Sequence, residues 1–178
     1  MATRRSDPHK LDVAALADEA GRLDGEIDAM ALERWREMQS PPADVPAPPV
    51  RWWAHGEKRQ VSGGAPQHWV HLRAAAQGWP VCQRCLQPFS TLVEIDRSFR
   101  FVPTESEAEA LDTDSEDDVL AFGPSFDLIE LIEDELLLAW PLVPRHERCA
   151  QPAHQGDTEP AENPFAVLAS LKGRAAKP

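Results

Sequence analysis

The spacing of apolar and polar residues changes near residue 50. From Leu11 to Leu23 the larger apolar residues recur at roughly helical intervals between acidic ones, which predicts a short amphipathic helix ending near Gly25. A second periodic stretch runs from Ile27 to Met38, and its spacing leaves the type of element open. Residues 1–39 are therefore interpreted as an N-terminal helical segment.

A proline-rich stretch separates this segment from a region of alternating residues. Residues 40–49 contain five prolines, which lack the backbone donor that helices and sheets require, so a linker is predicted there. Between Val50 and Val102 polar and apolar residues alternate, which predicts three or four antiparallel strands. Gly56, residues 62–66 and Gly78 are interpreted as the turns between them.

An acidic stretch and a strongly apolar stretch follow. Residues 105–118 hold eight acids in fourteen positions, so a mobile loop is predicted over 104–118. Ser125 can cap a helix that Pro141 stops, with apolar residues on one face. Its opposite face is acidic and contains Asp127, Glu130, Glu133 and Asp134. The predicted fold class is α+β, with a small antiparallel sheet packed against one or two helices within a core domain of residues 50–150.

The charge of the chain is unevenly distributed. The net charge of −12 disfavours nucleic-acid binding, because phosphate contacts depend on Lys and Arg. Residues 51–100 nevertheless carry seven basic and three acidic groups, together with four of the six tryptophans. Each tryptophan taken singly is more typical of a strand core, but the mixture can stack on and neutralise RNA. The candidate RNA contacts are Arg51, Lys58, Arg59, Arg73, Arg84, Arg97 and Arg100.

Two features of the sequence point to the cytoplasm. The amino terminus has arginines but no apolar stretch of the secretory kind. The most apolar stretch, Leu136–Pro144, is nine residues long, whereas a membrane span needs about 20. Three cysteines are an odd number, which favours reduced thiols or metal ligands over a disulfide framework.

Two motifs with the same spacing contain candidate metal ligands. Cys82 and Cys85 form a CxxC pair, and His146 and Cys149 repeat the two-residue gap about sixty residues later. Together they have the composition of a Cys3His site for one structural zinc ion, with His154 as a substitute fourth ligand. The alternative is a set of reduced thiols without a metal, because spacing alone does not bring side chains together.

The sequence offers little support for an enzyme. A redox CxxC usually opens a helix after a strand, whereas Pro88 and alternating residues follow Cys85 here. The phosphate-binding, dinucleotide-binding, zinc-protease and nucleophile-elbow motifs are all absent from the sequence. We therefore expect a protein that binds rather than catalyses, with a thiol enzyme as the weaker alternative.

A short segment with helix signals at both ends lies near the carboxyl end, within a tail over residues 151–178 that is predicted to be flexible. Residues 163–172 span about ten positions, and an isolated helix shorter than about 12 to 15 residues is marginal. The segment is therefore predicted to dock, either on the protein's own core or on a partner. The residues predicted to carry the docking are Asn163, Pro164, Phe165, Leu168 and Leu171.

Several of these segments together resemble the YceD family of large ribosomal RNA subunit accumulation proteins. The resembling pieces lie in the same order between residues 80 and 172. They are Cys82-Gln-Arg-Cys85, Gln87-Pro88-Phe89, the stretch from Asp127 to Pro144, His146, Cys149 and the segment Asn163 to Lys172. In related families with more cysteines the CxxC looks like half of a zinc site, and here His146 and Cys149 stand in the other half.

The resemblance implies a cytoplasmic, non-enzymatic accessory factor of large-subunit assembly. Such a factor is needed for large-subunit ribosomal RNA to accumulate, through binding, processing or protection of its precursor. The alternative is an adaptor that recruits a processing or modifying enzyme without contacting RNA. The expected partners are the precursor RNA or such a protein, with neither DNA nor a membrane.

Overall fold

The computed structural model describes residues 7–113, 118–123 and 125–149. The chain divides into two units, residues 1–146 and residues 147–178. The described part of the second unit is residues 147–149, which form neither helix nor strand. No helix in the described ranges is long and apolar enough to cross a membrane.

The first unit has an α+β fold around one five-stranded sheet, in agreement with the predicted class. Its strands are β1 (Arg22–Ile27), β2 (Val50–Arg59), β3 (Gln67–Gly78), β4 (Thr91–Val102) and β5 (Asp118–Ala121). Its helices are a 3-10 turn (Pro8–Lys10), α1 (Val13–Asp18), α2 (Glu33–Glu37), α3 (Glu105–Asp112) and α4 (Leu128–Leu138).

The sheet is mixed, not purely antiparallel as predicted. Strands β1 to β4 pair antiparallel with their neighbours in chain order, and β5 pairs parallel with the end of β4. Two parallel neighbours need a crossover connection, and α3 lies in that crossover. Three or four strands were predicted between residues 50 and 102, and three are present.

The N-terminal segment is not wholly helical. Helix α1 ends at Asp18, and Ala20 adopts a left-handed backbone conformation with φ of 48° before β1 begins. The residues of β1 alternate between exposed and half-buried and pair with β2 from Arg22 to Ile27. The alternation Leu23, Gly25, Ile27 was a strand signal that the helical interpretation missed.

Gly56 lies inside β2 and not in the predicted turn. A Cβ atom at this position would lie 2.4 Å from the carbonyl oxygen of Leu16. The backbone at the end of α1 therefore packs directly on the strand, which only a residue without a side chain permits.

The acidic stretch forms α3 where a mobile loop was predicted. The Thr104 side chain accepts a hydrogen bond from the backbone N–H of Glu107, which caps the helix. Ala108 is buried against Val102 and Val119. The helix dipole favours acidic side chains in the first turn, and Leu111 also packs on this apolar cluster. The stretch is therefore helical although it is dense in charge. Residues 114–117 lie outside the described ranges.

Helix α4 covers the sheet on the same side as α1 and α2. Leu128, Ile132 and Leu136 are fully buried in the core, as the predicted apolar face requires. The N-cap is Asp127 and not Ser125, because the Asp127 carboxylate accepts the N–H groups of Ile129 and Glu130.

The predicted acidic face of α4 is wrong at Glu133. This carboxylate is buried and accepts hydrogen bonds from Nε and Nη2 of Arg34 at 3.2 and 3.0 Å. It also accepts the backbone N–H of Trp35 at 3.1 Å. A buried charge needs such partners, so Glu133 joins α4 to α2 and does not face solvent.

Candidate metal centre and nucleic-acid interface

Alternation along the paired strands places one set of side chains on the sheet face opposite α4, named here the outer face. The register of β1 to β4 arranges these side chains in cross-strand rows. The rows are Glu26–Arg51–Ala75–Glu94, Asp24–Trp53–Arg73–Asp96, Arg22–His55–His71–Ser98 and Glu57–Trp69–Arg100.

The predicted basic residues do not share one surface. Four of them lie on the outer face: Arg51, Arg59, Arg73 and Arg100. Lys58 and Arg97 alternate to the other side, where Lys58 pairs with Asp18 and Arg97 pairs with Asp118 and Glu135. Arg84 lies in the turn between the two CxxC cysteines and belongs to neither face.

Three of the outer-face arginines have carboxylate partners. Arg51 pairs with Glu26, Arg59 with Glu57 and Arg73 with Asp96, each with its Nε 3.0 Å from a carboxylate oxygen. The side chains of the Arg51–Glu26 and Arg73–Asp96 pairs are largely solvent-exposed, and such pairs contribute only about 0 to 1 kcal/mol. A phosphate group can therefore replace a carboxylate at small cost.

Aromatic rings lie between these charges. The rings of Trp53 and His55 are 5.8 Å apart, and those of His55 and His71 are stacked at 6.1 Å. Trp69 is buried beneath the Arg59 guanidinium, whose carbon lies 4.1 Å from the ring centroid. Trp53 is half-buried, so it is the tryptophan of this face whose ring remains partly accessible.

A hydrogen-bonded network fixes the middle of the outer face. Nε2 of His71 lies 2.6 Å from Glu57, and Nδ1 lies 2.7 Å from the Ser98 hydroxyl. The contact with His71 is the largest reason that the pKa of Glu57 lies below its usual value, and Arg59 lowers it further. Glu57 therefore stays ionised beside its basic neighbours.

A depression interrupts the outer face at Ala75. Its neighbours in the cross-strand row are the long side chains of Arg51 and Glu94, so the small methyl group leaves a hollow between them. Trp53, Arg73 and Asp96 complete its wall.

The cysteines of the CxxC motif lie in the loop between β3 and β4. A bridge between Val81 and Pro88 closes this loop, and the Cys82 N–H donates to the carbonyl of Gln87 at 2.9 Å. Leu86 turns the backbone with a φ of 58°. The motif therefore lies in a tight turn between strands and not at a helix N-terminus, the usual setting of a redox pair.

The chain that leaves α4 returns to this turn. The backbone N–H of Gln83 donates to the carbonyl of Pro144 at 2.9 Å. Sγ of Cys85 lies 3.3 Å from Nδ1 of His146, and the ligand atoms of Cys82, Cys85 and His146 lie within 4.8 Å of one another. The Phe89 ring packs on the His146 imidazole with centroids 4.6 Å apart.

The donor set fits a zinc ion. Cys149, half-buried in the second unit, follows His146 by three residues, and these four residues form a Cys3His group that could hold a metal ion. Three soft sulfur donors with one imidazole are typical of tetrahedral zinc.

The environment of Cys82 favours its thiolate form, the form that binds metals. Burial raises the pKa of this thiol. Backbone hydrogen bonds from His146, Cys85 and Arg84 outweigh burial and lower the pKa to about 5.

Several outer-face residues were missed by sequence reasoning. His55, His71, Ala75 and Glu94 lie beside the predicted arginines because of strand register. The period-two spacing of His55 from Arg51 was visible in the sequence, but the cross-strand partners were not. The predicted docking residues of segment 163–172 lie outside the described residues.

Comparison with known proteins provides the remaining evidence. The sequence model of the family described as "Large ribosomal RNA subunit accumulation protein YceD" matches residues 70–172. A protein of that name from Haemophilus influenzae is 32% identical to this chain over an alignment of 174 residues. The alignment covers 91% of this chain and 95% of that protein. No solved structure matches the chain.

Proposed function

Because the chain belongs to the YceD family of large ribosomal RNA subunit accumulation proteins, we propose that it is a cytoplasmic, non-enzymatic accessory factor of large-subunit assembly. In this proposal it binds the precursor of large-subunit ribosomal RNA through the outer face. Binding would protect the precursor or present it for processing, so that the RNA accumulates.

The observation that carries the proposal is the combination of arginines and aromatic rings on one sheet face. Single-stranded RNA is recognised by stacking of bases on aromatic side chains and by cations that follow the backbone. Trp53, His55 and His71 supply rings on two adjacent strands, and Arg51 and Arg73 flank them. With a net charge of −12, the protein should bind RNA modestly and with steep salt dependence.

One zinc ion on Cys82, Cys85, His146 and Cys149 is part of the proposal. Four protein ligands leave no open coordination position, so the ion would be structural. It would join the loop before β4 to the chain after α4 and contribute directly to stability. The bound ion supplies no reaction.

The binding proposal is tested by comparing two doubly substituted proteins. Arg51→Gln with Arg73→Gln removes two outer-face charges, and the matched control, Lys58→Gln with Arg97→Gln, removes two charges from the opposite side. Mobility-shift titrations with a fragment of precursor RNA over a range of salt should show weaker binding for the first protein. Its logarithmic salt slope should be flatter by about 1.4 units, which corresponds to two lost single-strand phosphate contacts. Unfolding midpoints of both proteins check that each is folded.

In cells, deletion of the gene should lower large-subunit relative to small-subunit ribosomal RNA. The control protein should restore the ratio and the outer-face protein should not. Equal binding and equal rescue by the two proteins would contradict direct recognition through the outer face.

A second candidate function, a protein-binding adaptor, is favoured by the edge of β4. Strand β5 pairs only with Phe99–Val102, so no described strand pairs with that edge over residues 91–98. An open strand edge can accept a strand from a partner. Hydrogen exchange during binding to precursor particles distinguishes the candidates. Slowed exchange confined to residues 91–98 would favour the adaptor, and protection across the outer face would favour RNA recognition.

A further inference from the structure

We infer that the depression at Ala75 is a pocket for one unstacked nucleobase and that it prefers bases carrying an exocyclic amino group over uracil. The inference rests on the proposed function, since it assigns a specificity to the same face. It is carried by the shape of the depression and by the chemistry of its wall.

The shape suits a single planar group. Ala75 is the small central residue of a row whose neighbours are Arg51 and Glu94. The pocket floor is therefore strand β3, and long side chains from β2 and β4 form its sides. The hollow lies between side chains of three adjacent strands and opens to solvent, so a base splayed out of a single strand can enter it.

The wall provides a stacking surface and two phosphate contacts. The Arg73 guanidinium carbon lies 6.0 Å from the centroid of the Trp53 ring, at the outer limit of a cation–π contact. The side chain of Arg73 is 66% exposed, so it can swing from the ring to a phosphate. The base then takes its place against Trp53, while Arg51 meets the neighbouring phosphate.

Glu94 provides the selectivity. It is exposed and makes no hydrogen bond or ion pair with any residue in the described ranges, unlike its neighbour Asp96, which pairs with Arg73. A carboxylate only accepts hydrogen bonds. Amino groups of cytosine, adenine and guanine donate, whereas uracil places a carbonyl oxygen where cytosine has its amino group. An acceptor facing the Glu94 carboxylate is repelled.

The probes are two fluorescein-labelled octaribonucleotides, one all cytidine and one all uridine, titrated at low salt and followed by anisotropy. The bases have the same size and differ at the group that would face Glu94. The wild type should bind the cytidine probe at least about fivefold more tightly, the lower limit for one well-placed base contact. Its Trp fluorescence should fall on binding.

Two variants test the pocket, and a third controls for charge. Glu94→Gln offers both a donor and an acceptor, so the cytidine-to-uridine ratio should fall towards one. Ala75→Leu fills the hollow, so the protein should bind the cytidine and uridine probes equally well. The salt dependence of its affinity should stay unchanged. Glu26→Gln changes the same charge at the far end of the same row, and it should keep the ratio.

The outcomes separate the two proposals. A wild type that binds neither probe overturns RNA recognition by this face and the pocket with it. Binding with a ratio near one, or with a ratio that Glu94→Gln does not change, overturns the pocket alone. Unfolding midpoints show whether Ala75→Leu is folded, and Glu94→Gln keeps the test decisive if it is not.

Discussion

The Sγ atom of Cys85 lies 3.3 Å from Nδ1 of His146, although sixty-one residues separate them in the chain. One residue belongs to the turn that precedes β4 and the other to the chain that follows α4. A metal ion bound by these two residues would cross-link the turn before β4 to the chain that follows α4.

Zinc analysis tests this relationship directly. Protein purified without chelator should contain about one equivalent of zinc, because structural sites bind zinc tightly at neutral pH. Cys85→Ser and Cys149→Ser should each lose the metal, and chelator should lower the unfolding midpoint of the wild type only. The sequence also allows His154 as a substitute fourth ligand, so His154→Ala is the control. This variant should keep the zinc if the four predicted residues bind it. Zinc below about 0.2 equivalents in the wild type would show that the residues are reduced thiols.

The close contact between α1 and β2 predicts that a single added methyl group at Gly56 lowers the stability of the protein. In Gly56→Ala the new Cβ would meet the backbone of Leu16 at 2.4 Å, and rigid backbone cannot yield as a side-chain tip can. The free energy of unfolding should fall by about 1 to 3 kcal/mol or more. Gly64→Ala is the matched control, since its nearest contact is 3.6 Å away, and it should change stability by less than about 0.5 kcal/mol. Equal stability of the two variants in urea unfolding would mean that α1 does not pack on β2 in this way.

The Asp127 carboxylate should stabilise the folded protein at neutral pH, and this contribution should be lost at acidic pH. Burial raises the pKa of this carboxyl, but the hydrogen bonds from His9 and from the backbone N–H groups at the start of α4 outweigh it. The pKa is therefore lower in the folded than in the unfolded protein, so the ionised group stabilises the fold above the unfolded pKa of about 4. This stabilisation is lost as pH falls through the lowered folded value.

The matching variant is Asp127→Asn, which keeps a helix cap but removes the charge. At neutral pH it should be less stable than the wild type by about 1 kcal/mol or less, the usual size of a charge effect at a helix end. Urea unfolding from pH 7 to pH 2 should show the two proteins converging below about pH 4. A difference that stays constant over this range would assign the effect to packing.

The sequence of segment 163–172 predicts a docking role, which leads to a test with the full chain. Phe165→Ser with Leu168→Ser should abolish binding to precursor particles and leave the unfolding midpoint unchanged. Ala166→Ser with Ala169→Ser is the control, since it introduces the same hydroxyls beside the predicted apolar stripe. A lower midpoint for the first variant alone would place the stripe on the protein's own core.

The sequence by itself determined the features that depend on local periodicity and residue chemistry. Alternation from Val50 to Val102 predicted three or four strands, of which three are present, and helical spacing in α4 predicted its buried positions Leu128, Ile132 and Leu136. These patterns succeed because a strand or helix must turn its apolar side chains to the core whatever its neighbours are. The paired CxxC and HxxC spacings likewise predicted the four residues of the Cys3His group that could hold a metal ion.

Tertiary structure decided everything that depends on which elements become neighbours. Strand β1 and helix α3 were misinterpreted because their order comes from pairing with β2 and from packing beside β5, long-range contacts that local composition does not report. The basic residues show the same effect. Arg73 and Arg97 looked equivalent in the sequence, yet strand register sends them to opposite faces of the sheet, since a shift of one residue along a strand reverses the direction of the side chain.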